Sequence, residues 1–598
     1  MRRAAGLAGA ALVALLILAA SASAHATLES SSPARGVTLA KAPSQVVFTF
    51  DEAVEGNFGA VRVFDAKGNR VDQGDAFHPN NVGKQLGVHL KPDLPAGTYT
   101  ATYRVVSADS HIVSSGVVFS VGHASAGGGE SVESLLSSSK TGAVTSVAFS
   151  TARALQYGAI AVGGGTLLFL LVVWTGALAA TAGGDESWRR ASEAFAARTR
   201  LLLGAAAAVG VLSAAAALVL EAAEGAGVTF WSALHPRLIG DVIGTRFGTV
   251  WLVAGLCWLL IGAIVGLLWA PARQATPVLR RASVGATGLA LPAGRRTLAT
   301  WAPALPLAFL ILVPALSGHG STQHPVAILF PANVLHVAAM TAWVGGIAVL
   351  LVALPAATRR LDAGDRAPLL AATVERFSTI ALAGVVALLL TGLLQAIEEI
   401  RHFDLVFTTA FGRAVFIKLV LLTVLIVLGA VNRQKTIPRL RAAADGGRTP
   451  GADGIMLRRT LRAEALLIAA ALATTGALAG YAPATTVTSG PFNTITRIGP
   501  QELQATIDPA RVGVNEMHLY LTDPKSGAQL DNAKEVTVSA ALPAKGIGAS
   551  DVQASKAGPG HYIVPALTLG VPGTWTIGLT VRVSDFDEYT KKLEVKVR

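Results

Sequence analysis

A histidine at a newly cut N-terminus is a ready metal chelate, and this sequence is arranged to make one. The chain opens with Arg2 and Arg3, runs through an apolar stretch from Leu7 to Ala20, and reaches the small-residue cleavage pattern Ala22-Ser23-Ala24. Cutting after Ala24 exposes His25, whose freed α-amine and imidazole Nδ1 close on one ion. Two nitrogens in a fixed bite suit Cu(II), which favours tetragonal N/O ligation. Cleavage one residue to either side removes the chelate. A second feature lies in Asp109-Ser110-His111, which opens a predicted strand over 109–121. Residues two apart on a strand share a face, so Asp109 and His111 present one carboxylate and one imidazole together. With His25 they supply three nitrogens and one oxygen, a tetragonal set. Taken alone, His25 is what any cleavage leaves behind and Asp-x-His is a solvated strand end. Together they point to a Cu(II) site.

The stretch around them resembles the CopC family of periplasmic copper-binding β-sandwiches. The matching residues are His25-Ala26-Thr27-Leu28, Ser32-Pro33-Ala34, Val47-Phe48-Thr49-Phe50-Asp51-Glu52, Gly97-Thr98-Tyr99 and Ser107-Ala108-Asp109-Ser110-His111. The resemblance implies that His25, Asp109 and His111 are Cu(II) ligands on an immunoglobulin-like sandwich. Some CopC proteins also hold Cu(I) in a Met-rich loop. This stretch has no Met between His25 and His123, so no soft site is expected there. His78 and His89 read as surface histidines.

The elements that must position this site belong to a larger membrane protein. Apolar residues make up 52% of the chain and charged ones 14%, far from an ordinary soluble domain. Cys257 is the single cysteine, so no intrachain disulfide is available. A membrane span needs about 20 mostly apolar residues. Eight stretches qualify, near 154–179, 200–220, 248–270, 300–317, 331–354, 377–397, 412–431 and 463–482. With the first mature domain exported, the loops that fall in the cytoplasm hold most of the arginines, including Arg189, Arg190, Arg280, Arg281, Arg359, Arg360, Arg458 and Arg459. The outer loops hold little more than Arg237, Arg246 and Arg401. This is the positive-inside pattern. It accounts for much of the net charge of +12 without a nucleic-acid partner. Both ends of the mature chain then lie outside the cytoplasmic membrane.

The histidines show the opposite bias. None of the twelve falls in a cytoplasmic loop under this topology. His336 is the sharpest, because ionisable groups inside spans are costly and face a cavity or a partner. Met340 follows one turn later on the same side, and an imidazole with a thioether suits Cu(I). A hydrogen bond between helices and plain packing are the competing readings of these two residues. The surrounding stretch, about 150 to 483, resembles the CopD family of membrane proteins. The residues that carry this are Leu335-His336 with Trp343-Val344-Gly345-Gly346, Ser317-Gly318-His319-Gly320, Arg376-Phe377-Ser378, Thr391-Gly392, Phe411-Gly412-Arg413 with Lys418, and Asn432-Arg433. The resemblance implies copper transfer across the membrane, most often uptake, with His336, Met340, His319 and His324 as the candidate path. Glu398, Glu399 and His402 read as a solvated helix end. The cytoplasmic side offers almost no ligand beyond Met456.

Two segments complete the chain. Residues 123–151 are rich in Gly and Ser and read as a tether that keeps a loaded donor beside the membrane entrance. Residues 490–598 carry short alternating runs with Gly and Pro between them, such as 516–522, 535–542, 561–568 and 574–583, which predicts another β-sandwich. This part resembles the YtkA-like domains through Asp508-Pro509, Gly513-Val514-Asn515-Glu516 and Gly560-His561-Tyr562. Met517, His518 and His561 are candidate copper contacts there. Met517 and His518 point to opposite faces of a strand, which favours a structural or docking role.

The expected architecture is therefore a signal peptide over 1–24, a CopC-like sandwich over 25–122, a linker over 123–151, an eight-helix membrane bundle over 152–483 and a C-terminal sandwich over 490–598. The expected function is capture of Cu(II) outside and transfer of copper inward through the bilayer, since an exit poor in ligands suits release to an intracellular copper chaperone. A sequestration protein that never transports is the alternative. An enzyme is not expected. Asp109 would take the position that a copper oxidase leaves open, and a haem reductase would need paired histidines in the spans.

Overall fold

The computed structural model describes residues 26, 28–34, 37–56, 60–107, 112–122, 135, 142–183, 185–268, 301–318, 321–322, 325–481, 492–508, 510–524 and 529–597. His25, Asp109, His111, His319 and His324 lie outside the described residues, as do the leader and most of the linker. Contacts divide the chain into a helical unit over 141–481 and a β unit holding 25–140 and 482–598.

The N-terminal β domain has two sheets. One has the order β1 (Leu28–Ser32), β3 (Gln45–Phe50), β5 (Gln85–His89). The other has the order β2 (Thr38–Leu39), β7 (Ile112–Val121), β6 (Gly97–Val106), β4 (Val61–Asp65). In β3, Val46, Phe48 and Phe50 are fully buried while their neighbours are partly exposed, the period-2 pattern of a half-buried strand. Each such side chain contributes about 1.5–3 kcal/mol of burial. Tyr103 of β6 joins the sheets, its ring 4.9 Å from Phe48 and 5.2 Å from Phe50.

Among the described residues eight apolar helices follow, seven long and one short. They are α1 (Ala143–Thr181), α2 (Glu186–Ala226), α3 (Arg246–Leu268), α4 (Ala304–Leu316), α5 (Val326–Thr358), α6 (Ala363–Ile400), α7 (Ala410–Asp445) and α8 (Gly451–Leu478). Among the described residues seven are long and apolar enough to cross a membrane. The exception, α4, has 13 residues, a rise of about 20 Å against a hydrocarbon core of about 30 Å. Helix α1 starts at Ala143, within the stretch read as linker. The reason is side-chain anchoring: Phe149 is buried, meets Phe247 edge-on at 5.9 Å, and carries the Arg153 guanidinium 3.7 Å above its ring.

Helix α1 is the hub of the bundle and packs against α2, α4, α5 and α8. It crosses α5 at a reciprocal pair of glycines. A Cβ at Gly165 would strike the Thr341 carbonyl and Gly345, and one at Gly345 would strike Ala161 and Gly165. The next residue, Gly346, leaves room for the Phe377 ring of α6. Small residues of this kind let helix backbones approach in a membrane, where dispersion must replace the hydrophobic effect. Because the obstructing atoms are backbone, Gly165→Val is expected to destabilise the detergent-solubilised protein by about 1–3 kcal/mol or more, read as a lower unfolding midpoint. Gly204→Ala in α2, where a Cβ meets nothing within 4 Å, is the control and should leave the midpoint unchanged or raise it.

The C-terminal domain again has two sheets. One has the order β13 (Ser555–Gly558), β14 (His561–Leu569), β10 (Gly513–Thr522), β9 (Gln501–Asp508), β8 (Phe492–Ile498). The second has the order β12 (Ile547–Gln553), β11 (Glu535–Leu542), β15 (Gly573–Arg582), β16 (Glu588–Val597). Trp575, Ile577, Leu579 and Val581 of β15 alternate into its core. The four predicted strands fall on β10, β11, β14 and β15.

Candidate metal site

In the N-terminal domain the described residues frame the predicted ligands. Leu28 pairs with Phe50, at the end of β3. The chain then crosses to the other sheet, where Glu55 and Val106 exchange two backbone hydrogen bonds of 2.8 and 2.9 Å. Val106 pairs with Ile112 at the connected end of the β6–β7 hairpin. The start of β1, the end of β6 and the start of β7 therefore lie at the same end of the domain. Ala26 is buried there, which pins the chain one residue after His25. The other two histidines are tied up. His78 Nδ1 lies 2.6 Å from the Gln85 carbonyl, and His89 Nδ1 lies 2.6 Å from Asp75 with its ring stacked on Phe77.

In the helical unit His336 sits ten residues into α5, a rise of about 15 Å. Its Nδ1 lies 2.9 Å from Thr391 Oγ1 on α6. Thr391 Oγ1 is also 2.6 Å from the Ala387 carbonyl, which takes its one proton. The hydroxyl must then accept from His336 Nδ1–H, which leaves the Nε2 lone pair for another partner. Gly392 backs onto the ring: a Cβ there would lie 3.4 Å from His336 Cε1. This is how a metal-binding imidazole is held, with one nitrogen fixed by the protein and the other presented. Met340 follows one turn along, partly buried against the bundle core.

The polar residues around His336 form a ladder between α5 and α6. Asn333 donates to Gln395 Oε1 at 3.2 Å, and Gln395 donates to the Thr391 carbonyl at 3.0 Å. Toward the end of α6, Lys418 of α7 lies close enough to feel both His336 and Glu399, and Glu398 is buried with its carboxylate 3.4 Å from Arg401. Glu398 is thus a paired group at a covered helix end. A groove of about 560 Å³ beside this ladder is lined by Leu335, Leu382, Val386 and Leu390, with Thr379 and Thr391 as its polar residues. Its chemistry suits an acyl chain or another helix rather than an ion.

Sequence reading passed over Asn333 and Gln395. Their signal was present: 333, 336 and 340 lie on one stripe of α5, and 391, 395 and 399 on one of α6. It also passed over the partners of the motif residue Asn432 and a cluster of carboxylates. Asn432 donates to Glu464 Oε1 at 2.8 Å and accepts from Thr460 at 2.8 Å, some 22 residues along α7 from its start, about 33 Å away. Asp185, Asp362 and Asp365 bring three carboxylates together at the starts of α2 and α6, so the side thought to hold little beyond Met456 carries oxygen ligands. Asp185 caps α2 through Ser187 and Trp188, and carboxylates suit hard cations better than copper.

In the C-terminal domain the strand alternation separates Met517 from His518 as predicted. Met517 is fully buried in the core. His518 is on the other face of β10, with Nδ1 3.1 Å from His561 Nε2 on β14.

Comparison with known families gives three matches along the chain. Residues 28–122 match the CopC domain, residues 144–291 the N-terminal domain of copper resistance protein D-like proteins, and residues 371–478 copper resistance protein D. Among curated proteins, the copper transport protein CutJ of Bacillus subtilis (strain 168) is 28% identical over 96% of this chain and 96% of its own length. Protein YobA of Escherichia coli (strain K12) is 34% identical over 16% of this chain and 79% of its own length. Among solved structures, CopC from Methylosinus trichosporium OB3b is 28% identical, covering 16% of this chain and 93% of that one, with a TM-score of 0.15. PcoC, a methionine-rich copper resistance protein from Escherichia coli, is 28% identical over 16% of this chain and 99% of that one, with a TM-score of 0.15.

Proposed function

The chain is a CopC–CopD fusion, with both domains in one polypeptide, and from that premise we propose that it captures Cu(II) outside the cytoplasmic membrane and passes copper inward through the helical bundle. The observation that carries the transfer step is His336, held at Nδ1 by Thr391 with Nε2 left to a ligand. His25, Asp109 and His111 are the capture ligands in this reading, and His319 and His324 receive the ion above His336. The polar ladder of Asn333, Gln395 and Glu399 leads toward His336 from the same end of α6. Helix α4 acts as the eighth span, so the two β domains share the outer side. The 28% identity to CutJ over nearly the whole chain supports transport as the task. The name of that relative specifies no direction. Import rests on the concentration of imidazole ligands at the outer side and on their scarcity at the inner one. Copper is then released to an intracellular chaperone.

The test is cell copper under copper limitation. Cells expressing the chain are expected to hold more copper than cells with an empty vector, and His25→Ala is expected to lose that gain. Unchanged cell copper, with copper tolerance that depends on His25, would make the protein a tethered buffer and end the transport reading.

A further inference from the structure

The outer face of the central strand β10 carries three groups that the transport reading does not use. Glu516, His518 and Tyr520 alternate along it, and the register opposes Tyr520 to His561 on β14. His561 therefore projects from the same face as His518, on the neighbouring strand. The Nδ1 of His518 and the Nε2 of His561 are 3.1 Å apart. Two nitrogens bonded to one metal at about 2.0 Å and at a cis or tetrahedral angle stand about 2.8–3.3 Å apart. On the far side of His518, Glu516 Oε1 lies 3.3 Å from Nε2, close but out of hydrogen-bond alignment until the ring is turned. A carboxylate behind an imidazole whose other nitrogen faces outward is the arrangement that orients metal-ligating histidines. Tyr520 stacks on His561 with centroids 4.2 Å apart and planes at 11°, which fixes the second ring.

We infer that His518 Nδ1 and His561 Nε2 form a second Cu(II) site, in the C-terminal domain, with Glu516 as its positioning residue. Without metal the two nitrogens share one proton. Cu(II) takes its place, and each imidazole keeps its one proton on the far nitrogen, Nε2 of His518 and Nδ1 of His561, so both rings stay neutral. Two protein donors leave coordination positions for water, which suits exchange of the ion rather than storage. The site is independent of the transport reading, because it requires binding alone.

The experiment uses the full-length protein in detergent with the N-terminal site removed by His25→Ala and His111→Ala. Equilibrium dialysis against Cu(II) is expected to find about one retained ion per chain, with nitrogen hyperfine structure in its electron paramagnetic resonance spectrum. Adding His561→Gln should weaken that binding at least tenfold, and Glu516→Gln should weaken it less. Since a buried imidazole pair also supports the fold, a second measurement avoids mutation. In the His25→Ala/His111→Ala protein, Cu(II) should protect His561 from diethyl pyrocarbonate, mapped by mass spectrometry. Equal copper retention with and without His561→Gln, or modification of His561 unaffected by Cu(II), overturns the site and leaves the pair as a structural hydrogen bond.

Discussion

Replacing His25 with alanine is expected to lower the Cu(II) affinity of the processed, purified protein by about 10²–10⁴-fold. The magnitude follows from chelation: once one nitrogen of His25 holds the ion, the second binds it intramolecularly, and losing that step costs the effective concentration it supplied. His111→Ala is expected to fall in the same range, since it removes a nitrogen from the same tetragonal set. Asp109→Asn should cost less, because an amide oxygen still offers a weak neutral ligand. The chelate needs a free α-amine as well as the imidazole. Protein with its leader uncleaved should therefore bind as weakly as His25→Ala although the imidazole is intact, because the nitrogen has become an amide. His89→Ala is the control. Its Nδ1 is committed to Asp75 and its ring to Phe77, so its loss should leave affinity unchanged. Competition titration against a Cu(II) chelator reads all of these. Equal affinity of processed wild type and uncleaved protein would remove the N-terminal chelate.

That prediction is legible in the sequence because a chelate within one residue needs no fold. Other parts were legible for a different reason. The apolar stretches located the helices, and alternation located β10, β11, β14 and β15, because burial on one face imposes a period that survives in any one chain. Alternation also separated Met517 from His518 before either was seen. The partners were not legible. A period says which face a side chain occupies and is silent about what lies opposite. Thr391 meets His336 across 55 positions, and His561 meets His518 across 43. The family motifs likewise read as chemistry and proved partly to be packing. Gly345 marks the crossing with α1 and Gly346 receives Phe377, so two of the four residues in Trp343-Val344-Gly345-Gly346 set how closely helices approach. The start of α1 at Ala143 was hidden for a related reason. The Gly/Ser composition before it pointed to a tether, whereas the contacts of Phe149 with Arg153 and Phe247 extend the helix.

Those close approaches matter to the transfer step. Gly345 and Gly346 lie less than three turns beyond His336 on α5, and they bind that helix to α1 and α6. His336 is thus on a helix whose most apolar stretch, like that of α1, is 61% buried, against 17% for α6 and 11% for α7. A ligand on a helix locked against α1 by backbone contact is held in place from the α5 side.

His336→Ala is accordingly expected to abolish the copper gain of expressing cells while leaving Cu(II) binding by the purified protein unchanged. The two readouts separate passage from capture, since the N-terminal ligands are on another domain. Thr391→Val tests the tautomer argument. Valine keeps the shape of threonine and removes the oxygen that accepts from Nδ1–H, so the imidazole is free to turn and to move its proton to Nε2. Loss of an outer-shell partner of a metal-binding histidine costs about 10–100-fold in affinity or activity, and Thr391→Val should lower the initial rate of uptake in that range. Thr391→Ser restores the oxygen and should recover most of the rate. Met340→Leu conserves volume and so should leave the unfolding midpoint within about 1.5 kcal/mol of wild type, while removing the thioether one turn along. A fall in uptake for that variant makes Met340 the next ligand, and an unchanged rate makes it packing. If Thr391→Val and Thr391→Ser fall together, the hydroxyl is not what orients His336. If His336→Ala transports normally, copper does not pass this residue, and the polar ladder between α5 and α6 is a device for holding two helices together.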